Sequence, residues 1–245
     1  MSTEARGLEG QPVAGRRDGA LSRRVVTRLL VLLAAAAGCV DVMAVSRLGG
    51  PFASVVTGNL IQFGRSLAIP NRQLAASTLT AVASYAVGVA IGTAMLRGSL
   101  PGWRLRTCVV ASVELLLLVG VLVGWLITSG SPGTGQALFL LALAAAAMGL
   151  QSAATLSTGV SEASTTYMTG TFTSFIRAVA TDPHLIGAAG AGIARLLSLL
   201  AGAVIGALIL KFAPSWTPVF PVVLVAGTIV LAAALSPWTS TKFRS

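Results

Sequence analysis

The sequence is poor in the residues that enzymes and metal sites use. Its 245 residues include one histidine, two cysteines and seven acidic residues. It contains no Walker-type phosphate loop, no His-x-x-x-His or Cys-x-x-Cys cluster and no Gly-x-Ser-x-Gly. Both cysteines, Cys39 and Cys108, lie in apolar segments, where they are expected to pack as small hydrophobic side chains. The sequence therefore predicts no enzyme, no cofactor and no metal site.

Charged residues are also scarce, which excludes an ordinary water-facing surface. They make up 10% of the chain, against 55% hydrophobic residues, and the mean hydropathy is +0.86. A soluble domain carries about 25% charged residues. Six apolar segments each approach the ~20 residues that a helix needs to cross a bilayer: 29–45, 74–96, 108–128, 136–156, 185–210 and 217–235. The predicted fold class is an all-α, polytopic membrane helix bundle whose main partner is the lipid bilayer.

The net charge of +10 is distributed as in a membrane protein. Most basic residues flank the spans, and six arginines precede the first one: Arg6, Arg16, Arg17, Arg23, Arg24 and Arg28. This is the positive-inside pattern. No basic face is interleaved with aromatic residues, so we expect no nucleic-acid partner.

Several landmarks recur in the same order at nearly the same spacing. Thr57-Gly58-Asn59 returns 112 residues later as Thr169-Gly170-Thr171. The other recurring landmarks are a downstream arginine (Arg65 and Arg177), a glycine pair (Gly88/Gly92 and Gly202/Gly206) and an upstream glycine (Gly38 and Gly149). Such repetition predicts a duplicated unit. The predicted parts are a disordered basic cytoplasmic arm (1–28), unit one (29–128), a linker (129–135), unit two (136–235) and a cytoplasmic tail (236–245).

Each unit has three clear spans and one ambiguous segment, 53–69 or 165–181. These segments carry polar residues at helical spacing, so we expect re-entrant half-helices buried in protein. Three crossings per unit would invert the second unit, giving six spans with both termini in the cytoplasm. The alternative is eight spans in two parallel repeats. The short basic loop 97–106 favours six spans, because only that arrangement keeps it cytoplasmic.

The Thr-Gly segments are the first candidate site. Gly58 and Gly170 are expected to allow a sharp turn, and Thr57 and Thr169 to cap the following helices. Two helix amino ends at membrane depth would suit a small solute, either an anion or a carbonyl-bearing molecule. Further predicted binding residues are Asn59, Gln62, Gln151 and Thr171. The alternative is that each motif is only a tight turn that lets helices pack.

Charged residues within spans form the second candidate set, because an unpaired charge in lipid is costly. Asp41 is expected to be neutralised by Arg47 or Arg65, and a proton on Asp41 would be the simplest coupling device. Glu114 and Arg195 reach a similar predicted depth, so we expect an ion pair that locks the units together. That pair could be structural, or it could couple or gate transport.

Three groups of residues resemble the bacterial YoaK family, a large group of uncharacterised multi-spanning proteins defined as a domain of unknown function. They are Gly38-Cys-Val-Asp41, Phe52 through Thr57-Gly58-Asn59 to Gly64, and Gly149-Leu-Gln151 with Met168-Thr169-Gly170-Thr171. The resemblance covers about 29–235 and implies a multi-pass protein of the bacterial cytoplasmic membrane, often regarded as a permease.

Two functions fit these observations. The first is a small secondary transporter or permease whose solute site lies between the two units. The second is a non-transporting subunit or scaffold that binds another protein through its Gly-x-x-x-Gly faces, which would also allow a homo-oligomer. A lipid-modifying enzyme is a weaker third option, because it would need an acid–base pair that the sequence does not contain.

Overall fold

A computed structural model describes residues 20–160, 168–181 and 186–236, which fold as eight α-helices and one short 3₁₀-helix without strands. The helices are α1 (Arg23–Arg47), α2 (Val56–Ala68), α3 (Arg72–Met95), α4 (Leu105–Ile127), α5 (Thr134–Ser157), α6 (Met168–Thr181), α7 (Ile186–Phe212) and α8 (Val219–Ala234). The 3₁₀-helix is Pro214–Trp216. Most of the predicted arm, nearly all of the tail and the start of segment 165–181 lie outside the described residues.

Six of these helical stretches are long and apolar enough to cross a membrane. They are Arg23–Arg47, Arg72–Met95, Leu105–Ile127, Thr134–Ser157, Gly190–Phe212 and Pro214–Ala234. They coincide with the six predicted apolar segments, so the prediction of a helical membrane bundle is confirmed. One boundary differs: α1 begins at Arg23, so residues 23–28 of the predicted arm are helical.

The two ambiguous segments form the short helices α2 and α6, of 13 and 14 residues. At ~1.5 Å per residue each is about 20 Å long, which is less than the ~30 Å of bilayer hydrocarbon. In α2 the polar residues Asn59 and Ser66 are buried, whereas Leu60 and Ile61 are exposed. The polar face of α2 therefore faces the protein.

The centre of the bundle consists of α1 and α5, the two most buried long helices. The main neighbours of α1 are α7 and α8, and those of α5 are α3 and α4. The short helix α2 packs on α3, and α6 packs on α7. Each central helix therefore packs mainly on long helices from the other half of the chain.

Glycines bring the backbones of two helix pairs into direct contact. A Cβ at Gly38 of α1 would overlap the carbonyl oxygen of Leu199 in α7, and a Cβ at Gly149 of α5 would overlap that of Tyr85 in α3. Gly202 and Gly88 make the reciprocal contacts, against the carbonyl oxygens of Ala35 and Ala146. Only glycine allows this approach, which maximises van der Waals packing between helices in lipid.

Paired residues show that both close helix pairs run parallel. Ser198 of α7 donates a hydrogen bond to the Val31 carbonyl of α1 at 2.7 Å, and further along both helices Gly206 lies against Cys39. In the other pair, Gly88 lies against Ala146 and Gly92 against Ala153. Residue numbers thus increase in the same direction in α1 and α7, and likewise in α3 and α5.

Hydrogen bonds between helix ends define the two faces of the bundle. The backbone amide of Leu21 donates a hydrogen bond to the Trp103 carbonyl, and the amide of Gly102 donates one to the Ser157 carbonyl, each at 3.2 Å. These bonds join the start of α1, the α3–α4 loop and the end of α5 at what we call the amino-terminal face. At the opposite face, Trp125 Nε1 near the end of α4 donates to the Pro214 carbonyl at 2.8 Å.

The chain leaves α1 and enters α3 at that opposite face. Gly49, just after α1, lies against Ser77 in the second turn of α3, and Gly50 lies near Leu74. Both ends of segment 48–71 are therefore at one face, and α2 lies between them.

Candidate functional site

A cavity of about 420 Å³ lies between α1, α7 and the amino ends of the two short helices. The first half of the chain contributes Asp41, Ser54 and Thr57 to its lining, and the second half contributes Met168, Thr169 and Leu199. This volume is within the ~300–1,000 Å³ typical of small-molecule sites. The structure thus brings Thr57 and Thr169, from the two Thr-Gly segments, to one cavity.

Asp41 lines this cavity from α1 and is 8% exposed. Its Oδ1 accepts hydrogen bonds from the backbone amides of Ala53 (2.9 Å) and Ser54 (2.8 Å), and its Oδ2 accepts one from Ser54 Oγ (2.6 Å). Three donors compensate for the burial of the carboxylate and fasten the loop before α2 to α1. The predicted neutralisation by Arg47 or Arg65 is wrong, since these partners are backbone and hydroxyl groups and both arginines are exposed.

Asn59 closes the same loop from the first turn of α2. Its side-chain amide is 1% exposed and makes two bonds to one residue: Nδ2 donates to the Phe52 carbonyl at 2.7 Å, and Oδ1 accepts from the Phe52 amide at 2.8 Å. Asn59 does not line the cavity, so its role in this structure is to shape the loop.

The predicted turn at Gly58 is wrong. Helix α2 begins at Val56, its N-cap residue is Val55 without a side-chain cap, and Thr57 lies inside the first turn. The left-handed backbone occurs earlier, at Gly49 (φ 101°) and Gly50 (φ 99°). Gly58 instead packs close to Phe52, whose ring would lie 3.5 Å from an added Cβ. In the second half, Gly170 is likewise helical and Thr169 lies in the first turn of α6.

Comparison with known proteins gives one family. The profile of a family described as "Protein of unknown function (DUF1275)" matches residues 29–232. The chain belongs to the DUF1275 family. This confirms the predicted resemblance to YoaK-like proteins. No curated protein and no solved structure matches the chain. The DUF1275 match runs from α1 into α8, so it includes every described residue that lines the cavity.

Four other predicted binding residues of this DUF1275 protein do not line the cavity. Gln62 and Gly170 are half-buried along the short helices, and Thr171 is buried in α6. Gln151 is fully buried in α5, where its Nε2 donates to the Leu33 carbonyl of α1 at 3.1 Å. Gln151 therefore links the two central helices of the DUF1275 bundle.

The predicted ion pair between Glu114 and Arg195 is wrong. Glu114 is fully buried, and neither carboxylate oxygen has a hydrogen-bond partner among the described residues. Arg195 is 2% exposed and its Nε donates to the Ala191 carbonyl, one turn earlier in α7, at 3.3 Å. Helix α4 packs mainly on α5 and α8, whereas α7 packs mainly on α1 and α6. The central helices α1 and α5 thus lie between Glu114 and Arg195, although the two residues have a similar predicted depth.

Sequence reasoning missed several residues of the cavity in this DUF1275 protein. Ser54, the partner of Asp41, lies in a segment without periodicity, and nothing in the sequence indicates which helix it meets. Leu199 lies midway along α7 and reaches the cavity because Gly38 draws α7 against α1. The repeated glycines predict helix contacts and would allow α3 and α7 to meet each other, but in the structure α3 packs on α5 and α7 packs on α1.

Proposed function

We propose that this DUF1275 protein is a small secondary transporter whose solute site is the cavity between α2 and α6. One observation carries the proposal: segments that lie 112 residues apart in the sequence, each starting a helix too short to cross a bilayer, line a single cavity. In known transporters, interrupted helices from two repeats build the site near the middle of the membrane. The buried carboxylate of Asp41 in the same lining adds a functional group that lipid-facing positions do not tolerate.

We further propose that the two halves are inverted repeats. An offset of 111 residues relates Gly38 to Gly149, and an offset of 114 relates their contacts, Tyr85 and Leu199. The contact between α3 and α5 thus corresponds residue by residue to the contact between α7 and α1. In both contacts the first long helix of one unit packs on the second long helix of the other. The start of α1 and the end of α5 lie at the same face, so these two corresponding helices run in opposite directions, which supports the inversion. Under this proposal α2 and α6 enter the membrane from opposite faces.

The distribution of basic residues supports a cytoplasmic location for the amino-terminal face. The α3–α4 loop with Arg97 and Arg104 lies at that face beside the start of α1, and Arg106 follows in the first turn of α4. Three further arginines, Arg23, Arg24 and Arg28, lie in the first two turns of α1 at the same face. Positive-inside placement then puts both termini in the cytoplasm and gives six spans in the bacterial cytoplasmic membrane.

Site-directed thiol labelling tests the transport site. Thr57→Cys and Thr169→Cys are made in a background where Cys39 and Cys108, both buried, are replaced by alanine. A membrane-impermeant methanethiosulfonate reagent is applied to right-side-out and inside-out vesicles. Alternating access predicts that both cysteines react, and that each is reached from both aqueous sides.

Two control positions give the labelling rates of an exposed and of a buried cysteine for comparison. Ser131→Cys, exposed in the turn between α4 and α5, should react quickly, and Ala81→Cys, fully buried in α3, should not react. If Ser131→Cys reacts while both threonine positions remain unlabelled from either side, the cavity is sealed and the transport proposal fails.

The glycine contacts argue against the alternative of a non-transporting scaffold. The pairs Gly88/Gly92 and Gly202/Gly206 lie against α5 and α1 inside the bundle, and Gly124 lies against Leu140 of α5. A partner protein or a second copy could not use the same faces without opening the bundle. An enzymatic role has no support either, since the two acidic residues of the described ranges, Asp41 and Glu114, lie on helices α1 and α4 in separate surroundings.

A further inference from the structure

We propose that the cavity binds a protonated amine with an apolar body, and that the Asp41 carboxylate is its counter-ion. This inference deepens the proposed function, because it names the solute class for the same site. It also replaces the expectation of an anionic solute with a cationic one.

The charge of the lining favours a cation. Among the described residues that line the cavity, Asp41 is the only ionisable one, and no arginine, lysine or histidine accompanies it. The amino ends of α2 and α6 contribute partial positive charge, about half a unit each, which acts only within the first turn. An anion would therefore have to approach a full negative charge without a full positive charge to compensate for it.

The hydrogen bonds of Asp41 define what kind of cation fits. A carboxylate offers about four acceptor positions. Oδ1 already accepts from two backbone amides and Oδ2 accepts from Ser54 Oγ, so the donors of the described residues leave one position, on Oδ2. An ammonium N–H can use that position and form a charge-assisted bond. The hydroxyls of Thr57 and Thr169 in the same lining can accept further N–H groups.

The rest of the lining favours an apolar body. Val45, Phe52, Met168 and Leu199 present aliphatic, aromatic and thioether groups to the cavity. An aromatic ring attracts a nearby cation, and methionine adapts its shape to different apolar ligands. A volume of about 420 Å³ accommodates an amine with one aromatic ring.

The test compares three molecules that share a phenethyl group and differ in the charge of the terminal group. Phenethylamine (a cation at neutral pH), 2-phenylethanol (neutral) and 3-phenylpropanoate (an anion) are titrated against the full-length protein in nanodiscs, and binding is measured by calorimetry. The cation should bind at least tenfold more tightly than the alcohol, and the anion should bind most weakly. Tighter binding of the anion than of the cation would overturn the proposal.

Asp41→Asn is the decisive variant, because asparagine can keep the loop in place. Its Oδ1 can accept from Ala53 and Ser54, and its Nδ2 can donate to Ser54 Oγ in place of the bond that Oδ2 accepts. The variant should bind phenethylamine and 2-phenylethanol equally well. Glu114→Gln is the matched control, since it removes the same charge from a helix that does not line the cavity, and its cation preference should equal that of the wild type. A preference that survives in Asp41→Asn excludes Asp41 as the counter-ion.

Val45→Lys supplies a second test if Asp41→Asn does not fold. Val45 lines the cavity and is 39% exposed, so an ammonium group there adds positive charge without touching the loop bonds. This variant should bind phenethylamine at least tenfold more weakly than the wild type does, and its affinity for 2-phenylethanol should be unchanged. If none of the three molecules binds while Thr57→Cys and Thr169→Cys still react with the aqueous reagent, the amine proposal fails and the transport proposal stands.

Discussion

Alanine at Gly202 tests whether direct backbone contact holds the bundle together. A Cβ there would overlap the Ala35 carbonyl oxygen and lie 2.6 Å from the carbonyl carbon and 2.7 Å from the Cα of the same residue. Carbon atoms pack best at about 3.5–4.0 Å, so α1 and α7 must separate by roughly 1 Å. All three obstructing atoms are backbone atoms, which no rotamer change can move. Overpacking of this kind costs about 1–3 kcal/mol.

The matched control is alanine at Gly227 in α8, where no heavy atom lies within 4 Å of an added Cβ. Both substitutions gain the helix propensity of alanine, about 1 kcal/mol, so this term cancels in the comparison. The Gly202 variant should therefore be about 1–3 kcal/mol less stable than the Gly227 variant. For a chain of this size, that difference lowers the melting temperature by roughly 2–12 °C.

The melting temperatures of both variants in detergent are measured with a fluorogenic maleimide. Cys39 and Cys108 are buried, so they react with it only when the protein unfolds. Equal melting temperatures for the Gly202 and Gly227 variants would refute the packing argument. Alanine at Gly88, which opposes the Ala146 carbonyl in the same way, should destabilise the protein as much as alanine at Gly202 does. A clear difference between these two would count against the repeat.

Two further predictions concern the core and the topology. Glu114→Met removes two buried acceptor oxygens that have no partner among the described residues, so it should raise the stability by about 1 kcal/mol or more in the same thermal assay; a lower melting temperature would mean that the carboxyl group has a stabilising partner. A reporter protein that is active only in the cytoplasm should be active when it is fused within loop 97–106, as it should be when fused to the amino terminus. An external location of this loop would favour eight spans.

Local properties of the sequence were sufficient to predict the spans. Hydrophobic length is a property of each segment, so six long helices could be located without any knowledge of their neighbours. The prediction of an ion pair between Glu114 and Arg195 is wrong because the depth of a residue along its helix does not determine which helices are adjacent. The structure instead pairs α1 with α7 and α3 with α5, and this pairing depends on glycines that the sequence identified only as contact surfaces.

The candidate site was predicted in part. The repeated Thr-Gly sequence predicts that Thr57 and Thr169 act as a pair, and both line the cavity, but the predicted helix capping is wrong for Thr57. The loop before α2 is shaped by the bonds of Asp41 to Ala53 and Ser54, which join a helix to a loop across 12 and 13 residues. Bonds of this kind depend on how the loop folds back on α1, and no local pattern encodes that.

The two buried carboxyl groups differ in a way that bears on mechanism. Glu114 has no hydrogen-bond partner among the described residues, so no described polar group links it to the position of any loop. All three donors to Asp41 come from the loop that also lines the cavity. Any movement of that loop away from α1 removes donors from a buried charge, and each lost donor makes a positively charged solute a better partner for the carboxylate. Under the amine proposal, Asp41 couples the position of the loop to the affinity of the cavity for a cation, which is the kind of coupling that an alternating-access transporter uses.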